Sequence, residues 1–198
     1  LNLLGDFAGG SMYLVTGILA ALLFSRRNGI GQVVDAAIVD GAVSLAALQH
    51  GMLAAGRWRT ERGVNLLDGG VPWYDVYETS DDEWMAVGAL EPKFYAEFCQ
   101  LLGVESSERE RADPSAWPDL RKKIADRFRS RTREEWTGVF ERSDACVSPV
   151  LSFLEARNHG HLRSRSVFVE RDGLVQPAPA PRFEGTPSQI RHSPGEGS

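Results

Sequence analysis

The chain has 198 residues, of which 42% are hydrophobic and 25% charged, a composition typical of globular proteins. This length allows one sizeable hydrophobic core or two small ones. The formal net charge of −5 argues against a nucleic-acid-binding protein, because such proteins usually present a basic face. The sequence therefore predicts a globular protein with no nucleic-acid partner.

Cysteine and histidine are sparse and dispersed along the chain. Cys99 and Cys146 lie in apolar surroundings and lack CxxC spacing, so we expect buried thiols in a reducing compartment. Of the four histidines, only His159 and His161 are close in sequence. Since a metal site needs clustered ligands, the sequence predicts no metal site.

Residues 1–60 are predicted to be helical. The apolar run from Met12 to Phe24 spans about 13 residues, fewer than the about 20 that a membrane span needs. Asp6 precedes this run, whereas a signal peptide carries basic residues there. We therefore expect a buried helix over residues 12–27 that ends at Asn28 and Gly29, no membrane partner, and a cytoplasmic protein.

Two further segments follow in the same helical region. The stretch QVVDAAI predicts a short strand that turns into a helix, and the Ala- and Leu-rich residues 43–55 predict a helix. Asp35 and Asp40 are acids in apolar company, which predicts helix caps or hydrogen-bonded structural groups. His50 lies in this stretch and is predicted to be structural.

Residues 61–176 are predicted to form an α+β domain. Its strands and helices are expected from about residue 71, beyond a polar connector over residues 57–70. The segments VPWYDVYET and EWMAVGAL flank a turn at residues 80–82 and predict a hairpin. A helix should follow with Pro92 in its first turn and with a core-facing set, Phe94, Phe98, Leu101 and Leu102.

The rest of the domain alternates between helices and short strands. We expect a helix over residues 117–129, another with Thr132 as N-cap and Glu135 at the capping-box position, and a short helix in SFLEARNHGHL. ACVSPV predicts a strand and SVFVERDGLVQ a closing hairpin. Residues 177–198 are predicted to be an extended tail that frays.

Two carboxylates lie at predicted junctions between elements. Asp6, in GDFAGG, precedes a predicted helix and could cap it or face a ligand beside the small Gly9 and Gly10. Glu91, in VGALEPKFY, lies between a strand and a helix and could offset the helix dipole or serve a site. A flexible turn is expected at Asp68, Gly69 and Gly70. No GxGxxG, GxSxG, Walker or HExxH motif occurs, so the reaction class stays open at this point.

Several separated segments resemble one family in the same order. LNLLGDFAGGSMYLVTGILAALL, GQVVDAAIVDG, RGVNLLDGGVPWYDVYET, WMAVGALEPKFYAEF and SDACVSPVLSFLEARNHGHL resemble the α-methylacyl-CoA racemases of the family III CoA-transferase superfamily. The resemblance implies an α/β family III CoA-transferase-like fold. It also implies an interlocked homodimer in which residues 1–60 belong to the large domain and its linker and residues 61–176 form the small domain.

The resemblance also implies a reaction and a set of site residues. These racemases invert the α-carbon of 2-methylacyl-CoA thioesters through an enolate, with an acid/base group on each face and no cofactor beyond the CoA of the substrate. The family's aspartate matches Asp6, and the glutamate that supports its histidine matches Glu91. The mobile glycine loop and the acyl pocket match a further set, Leu67, Gly69, Gly70, Tyr74 and Leu90.

The family's catalytic histidine lies upstream of the GDF motif, and no histidine of this chain matches it. We therefore expect the chain to correspond to the C-terminal portion of a family member. Two alternatives to racemisation stay open: a CoA-transferase that uses Asp6 as the nucleophile, and a catalytically incomplete fragment that only folds and associates.

Overall fold

The computed structural model describes residues 2–105 and 107–191, and its contacts divide the chain into two units, Leu1–Val71 and Pro72–Ser198. The sequence predicts a boundary after residue 60, eleven residues before the observed division. The connector, residues 57–70, falls in the first unit. Within it, the amide side chain of Asn65 accepts from the Arg59 amide at 2.8 Å and donates to the Arg59 carbonyl at 3.0 Å.

The first unit is helical, as predicted. It contains a π-helical segment and three α-helices: Leu3–Met12 (π), α1 Tyr13–Asn28, α2 Ile38–Leu45 and α3 Ala47–Ala54. Helix α1 ends at the predicted stop, where Gly29 has φ 69° and its amide donates to the Ser25 carbonyl at 2.7 Å. A left-handed glycine terminates a helix in this way because it carries no Cβ to clash.

The predicted burial of the first helix is wrong. None of the residues of α1 is buried in the described chain, and the Leu23 side chain is 58% exposed. The apolar surface of this helix exceeds what the two short helices α2 and α3 can cover. A large exposed apolar surface of this kind marks an interaction face.

The expectation that this segment is too short for a membrane is also corrected. The π-helical segment and α1 run on as one helix, Leu3–Asn28, with a mean hydropathy of 1.8 over its most apolar 18-residue window. By length and composition the helix could span a membrane. Core helices of globular proteins can be equally long and apolar. Length and composition alone therefore assign no membrane role to this helix.

The segment QVVDAAI forms no strand in the described structure. It is extended up to Ala37, at φ −79° and ψ 139°, and has no neighbouring strand in its unit to pair with. Ala37 is the residue that precedes α2, so Asp40 lies in the first turn of that helix and does not cap it. Asp35 is exposed in the extended stretch. The predicted capping roles of both acids are therefore wrong.

Glycines allow the π-helical segment and α2 to touch along their backbones. Gly9, Gly10 and Gly41 are buried. A Cβ on Gly9 would lie 2.8 Å from the Ala42 nitrogen, and a Cβ on Gly41 would overlap the Gly9 carbonyl oxygen. No other residue type fits this crossing, so the glycines hold the segment that carries Asp6 against α2.

Replacing Gly41 with alanine is expected to separate these two helices. The added methyl group must displace backbone, which costs about 1–3 kcal/mol, and hydrogen exchange over residues 3–12 should accelerate accordingly. Gly51→Ala is the matched control, since Gly51 lies inside α3 with nothing within 4 Å of a Cβ. We expect that control to gain about 0.5–1 kcal/mol. Equal protection in Gly41→Ala and the unchanged protein would contradict the crossing.

The second unit is α+β, as predicted. Its six helices and five strands are α4 Pro92–Leu102, α5 Glu108–Ala112, α6 Trp117–Phe128, α7 Arg133–Phe140, α8 Phe153–Ala156, α9 Gly160–Ser164, β1 Tyr74–Glu78, β2 Trp84–Gly88, β3 Val147–Pro149, β4 Phe168–Arg171 and β5 Leu174–Pro177, counted over the described residues. A 3₁₀ turn, Pro114–Ala116, precedes α6. Strands β1, β2 and β3 form an antiparallel sheet in that order, and β4 pairs with β5.

The predicted hairpin and capping box are confirmed. Strand β1 pairs with β2 from Tyr74 opposite Gly88 to Glu78 opposite Trp84. The Thr132 side chain accepts from the Glu135 amide, and the Glu135 carboxylate accepts from the Thr132 amide at 2.8 Å. The capping box joins residues three positions apart, and the hairpin pairs two strands that a short turn connects, so both features form within one short stretch of chain.

The core of the second unit is largely aromatic. The large apolar side chains that are fully buried include Met85, Phe98, Leu102, Ile124, Phe128 and Trp136. Of the predicted core set on α4, Phe98 and Leu102 are buried, but Phe94 and Leu101 are only half-buried. The buried face of α4 instead combines those two residues with Tyr95 and Cys99, a spacing of three and four residues that matches the helical repeat.

Two other predictions for this unit need correction. Cys99 is buried, but Cys146, which lies at φ 54° immediately before β3, is exposed. The tail is tied down at several described positions: the Ala178 amide donates to the Val167 carbonyl at 2.8 Å, and the Arg171 side chain donates to the Ile190 carbonyl. Residues 192–198 of the predicted tail lie outside the described residues.

Arg133 joins three parts of the second unit. Its guanidinium, 16% exposed, pairs with Glu155 of α8 and with Glu83 at 2.9 Å, and it donates to the Val150 carbonyl at 2.7 Å. The hydrogen bond from Arg133, followed by those from Ser152, lowers the pKa of Glu155 from 4.5 to about 2. The carboxylate therefore contributes stability that is complete above about pH 4.5 and is lost as the pH falls towards 2.

Replacing Glu155 with glutamine is expected to flatten this acid dependence. Glutamine does not titrate, so the urea midpoint of the variant should fall less than that of the unchanged protein between pH 4.5 and 2. The exposed Glu170 provides the control, and Glu170→Gln should keep the original slope. The measurement is urea unfolding followed by near-ultraviolet circular dichroism at each pH. If the urea midpoint falls equally with decreasing pH in all three proteins, the assigned role of Glu155 is contradicted.

Candidate active site

Asp6 lies inside a helix, not in the loop before one. Its amide donates to the Asn2 carbonyl at 2.9 Å, and its carbonyl accepts from the Ser11 hydroxyl at 3.0 Å. The expected cap position is therefore corrected: the backbone of Asp6 is already within the π-helical segment. Its side chain is exposed and has no hydrogen-bond or ion-pair partner among the described residues. The Asp6 carboxylate is therefore accessible to a ligand and is not engaged in bonds to the described part of its own helix.

Glu91 lies where the sequence predicts it, between β2 and α4. It is the N-cap residue of α4, with φ −77° and ψ 144°, and Pro92 begins the helix. Its side chain is exposed and makes no capping hydrogen bond within the described helix. Serine, threonine, aspartate and asparagine are the usual N-caps, so the glutamate contributes only its charge to this helix end. Its carboxylate remains accessible for a site.

Tyr74 and Leu90, the predicted acyl-pocket residues of the second unit, lie at the same end of the hairpin as Glu91. Tyr74 is opposite Gly88 in the sheet, and a Cβ on that glycine would be 3.9 Å from the Tyr74 ring. Both predicted pocket side chains are half-buried. The hairpin end and the junction that follows it therefore group three of the predicted site residues, Tyr74, Leu90 and Glu91, in one part of the second unit.

The glycine loop of the first unit is a hydrogen-bonded turn, whereas the sequence predicts a flexible one. The Asp68 carboxylate accepts from the Asn65 amide at 2.7 Å, from its side-chain nitrogen at 2.8 Å and from the Gly63 amide at 3.2 Å. The Gly70 amide donates to the Asn65 carbonyl at 3.0 Å. Gly69 has φ 89°, a conformation that favours glycine.

The Asp68 carboxylate has a lowered pKa in this turn. Desolvation raises the pKa of Asp68, but hydrogen bonds from Asn65, Gly63 and Gly70 together outweigh that effect. A Cβ on Gly70 would lie 2.5 Å from the Asn65 nitrogen, so the turn requires glycine there. Leu67, the remaining predicted pocket residue, is half-buried in the same turn.

A separate cleft of about 660 Å³ lies in the second unit between α7, β3 and α9. Phe94, Phe140, Cys146, His159 and His161 are among the residues that line it, and none of the predicted site residues does. No sequence pattern indicates this cleft, because its lining residues come from three separate stretches: Phe94, residues 137–149 and residues 159–164. No group of three or more metal-ligating side chains occurs in the part of the chain that the structure describes.

The chain is a member of a known protein family. The chain belongs to CoA-transferase family III, which it matches over residues 2–197. Among individual relatives, the chain is 45% identical over 190 residues to the alpha-methylacyl-CoA racemase of Mus musculus and 43% identical over 192 residues to that of Homo sapiens. Each match covers 95% of this chain and 50% of the relative. The chain thus spans about half the length of these curated relatives.

Solved structures agree on the fold. The crystal structure of Rv3272 from Mycobacterium tuberculosis matches with a TM-score of 0.71 and 21% sequence identity. The match covers 96% of this chain and 51% of that chain. At this level of identity the likeness shows the fold alone, which is that of the family.

Proposed function

We propose that this chain belongs to an isomerase that racemises the α-carbon of 2-methylacyl-CoA thioesters. The observation that carries the proposal is the 43–45% identity to two alpha-methylacyl-CoA racemases over 95% of the chain. The substrate is an acyl-CoA thioester, the reaction uses no cofactor beyond the CoA of the substrate, and the protein acts in the cytoplasm.

The proposed chemistry transfers one proton away from the α-carbon and returns one on the opposite face. Loss of the proton leaves an enolate, so the reaction needs a base, an acid and donors for the enolate oxygen. Asp6 is the acid/base group for one face, and its exposed carboxylate without a partner among the described residues supports that role. Glu91 supports the group on the other face, and Leu67, Gly69, Gly70, Tyr74 and Leu90 contact the acyl part.

The acting form in this proposal is an interlocked homodimer. The apolar side chains of Leu3, Leu19, Leu22 and Leu23 are each more than half exposed, and a surface of this size favours coverage by another protein surface. Light scattering on the purified chain should give twice the chain mass of 21.8 kDa. A monomer across the concentration range would contradict the dimer, as would transfer of the chain into phosphatidylcholine vesicles instead of self-association.

The test of racemisation is deuterium uptake from heavy water. The purified chain is incubated with (2R)-2-methylacyl-CoA, and mass spectrometry follows deuterium at the α-carbon while chiral chromatography follows the (2S) product. Uptake together with inversion supports the proposal. A folded chain, shown by circular dichroism, that produces neither would contradict racemisation by this chain alone and would favour the incomplete fragment.

The family name favours one alternative, a CoA-transferase in which Asp6 attacks the thioester as a nucleophile. That reaction joins the Asp6 carboxylate to the acyl group as an anhydride and releases CoA as a thiol. Hydroxylamine then converts the activated carboxylate to a hydroxamate on Asp6, which peptide mass spectrometry detects. A hydroxamate without α-deuterium would replace the racemase proposal with the transferase.

A further inference from the structure

Arg111 reaches from helix α5 to the junction that carries Glu91. Its guanidinium lies against two aromatic faces, 5.0 Å from the ring centroid of Trp73 and 4.6 Å from that of Tyr95. One of its terminal nitrogens donates to the carbonyl oxygen of Leu90. That carbonyl belongs to the peptide bond that enters Glu91. Arg111 therefore contacts the backbone immediately before the proposed site residue.

The backbone of the junction is held on both sides of the Leu90 carbonyl: the Leu90 amide donates to the Gly88 carbonyl at 2.9 Å, and the Glu91 carbonyl accepts from the Tyr95 amide at 2.9 Å. Strand β2 ends at Gly88 and α4 begins at Pro92, so residues 89–91 lie outside both regular elements. The Ala89 amide donates to the Trp73 carbonyl at 3.0 Å. The Leu90 carbonyl is then held by Arg111, whose guanidinium stacks on the ring of the same tryptophan. Trp73 thus anchors the junction twice, through its backbone and through the arginine.

Arg111 is itself held in place. The Ser107 and Glu110 capping box forms the start of α5. The indole nitrogen of Trp117 donates to the Arg111 carbonyl at 3.0 Å, and the Trp117 ring meets the Trp73 ring edge-to-face at 5.5 Å. Stacking against aromatic rings restricts the conformations of a guanidinium. The direction of its hydrogen bond to a carbonyl therefore varies little.

We propose that Arg111 is a positioning residue that fixes the backbone position from which the Glu91 side chain extends. The inference rests on the proposed function for its catalytic consequence. The Glu91 side chain makes no capping bond within the described helix, so its reach into a site starts from the position of its backbone. The Arg111 clamp on the preceding carbonyl adds a side-chain hydrogen bond to the backbone that places Glu91. Lysine would retain the charge and lose the planar donor that stacks on both rings.

The test compares Arg111→Lys and Arg111→Met with Arg109→Lys, a substitution at an exposed position of the same helix. The first readout is the nitrogen-15 chemical shift of the Glu91 amide, which responds to a hydrogen bond on the Leu90 carbonyl. We expect this shift to change in both Arg111 variants and to stay constant in Arg109→Lys. The second readout is the kinetics of α-deuterium exchange. We expect kcat to fall about 10- to 100-fold in Arg111→Lys with KM nearly unchanged, because a small misplacement of a catalytic group has an effect of that size.

The outcomes separate this inference from the proposed function. An unchanged Glu91 amide shift in Arg111→Lys would overturn the positioning role whatever the activity. A changed shift with unaltered kcat would overturn its catalytic consequence. If the unchanged protein exchanges no α-proton, the proposed function fails, and the amide shift still decides whether Arg111 holds the junction. Should Arg111→Met fail to fold, the lysine variant carries both readouts.

Discussion

Asp6→Asn is expected to reduce α-deuterium incorporation into 2-methylacyl-CoA by about 10²–10⁴-fold, the usual contribution of a positioned acid/base group. Asparagine has nearly the same shape as aspartate and cannot accept the proton. Asp6 has no side-chain partner among the described residues, so the substitution breaks no structural contact of the first unit. The loss should therefore appear in kcat, with the melting temperature unchanged.

Asp40→Asn is the matched control for this experiment. Asp40 is also an exposed acid of a helix in the first unit, in the first turn of α2. Its substitution removes the same charge from the same unit and should leave the exchange rate within about twofold, since a helix-end charge is worth only about 0.3–1 kcal/mol of stability. Equal rates in Asp6→Asn and the unchanged protein would refute the assignment of Asp6 as the base.

Phe128→Ala is expected to lower the free energy of unfolding of the second unit by about 3–5 kcal/mol, the range for a buried phenylalanine truncated to alanine. The Phe128 side chain is fully buried at the end of α6. Its ring stacks on Tyr77 at 5.4 Å and meets Trp136 edge-to-face at 5.5 Å. The truncation leaves a cavity among rigid rings that cannot collapse to fill it.

Urea unfolding followed by near-ultraviolet circular dichroism measures this loss, because the signal comes from the packed aromatic rings. Phe153→Ala is the control, since the Phe153 side chain is 91% exposed and its loss should change the stability by at most about 0.5 kcal/mol. Comparable losses in the two variants would show that the aromatic cluster is not the core of this unit.

The site could be predicted from the sequence only in part. Glu91 lies at the predicted junction because a proline at the first helical position marks the start of α4. Asp6 could not be placed correctly, since nothing in GDFAGG distinguishes a loop from a helix whose glycines pack against another backbone. No sequence pattern indicates a role for Arg111, because its contact with Leu90 joins residues 21 positions apart in the chain. The proposed roles of Asp6 and Glu91 come from the resemblance to the racemases and do not follow from the local sequence pattern.

The sequence by itself determined the features that depend on neighbours a few residues apart. The capping box of Thr132 and Glu135, the glycine stop at Gly29 and the β1–β2 hairpin all follow from local hydrogen bonds and backbone preferences. Only the tertiary structure decided the exposure of α1, the contact between Gly9 and Gly41, and the clamp of Arg111 on the Leu90 carbonyl. The physical reason is that burial and long-range contact depend on which surfaces pack together, and an apolar or charged residue type does not specify its partner.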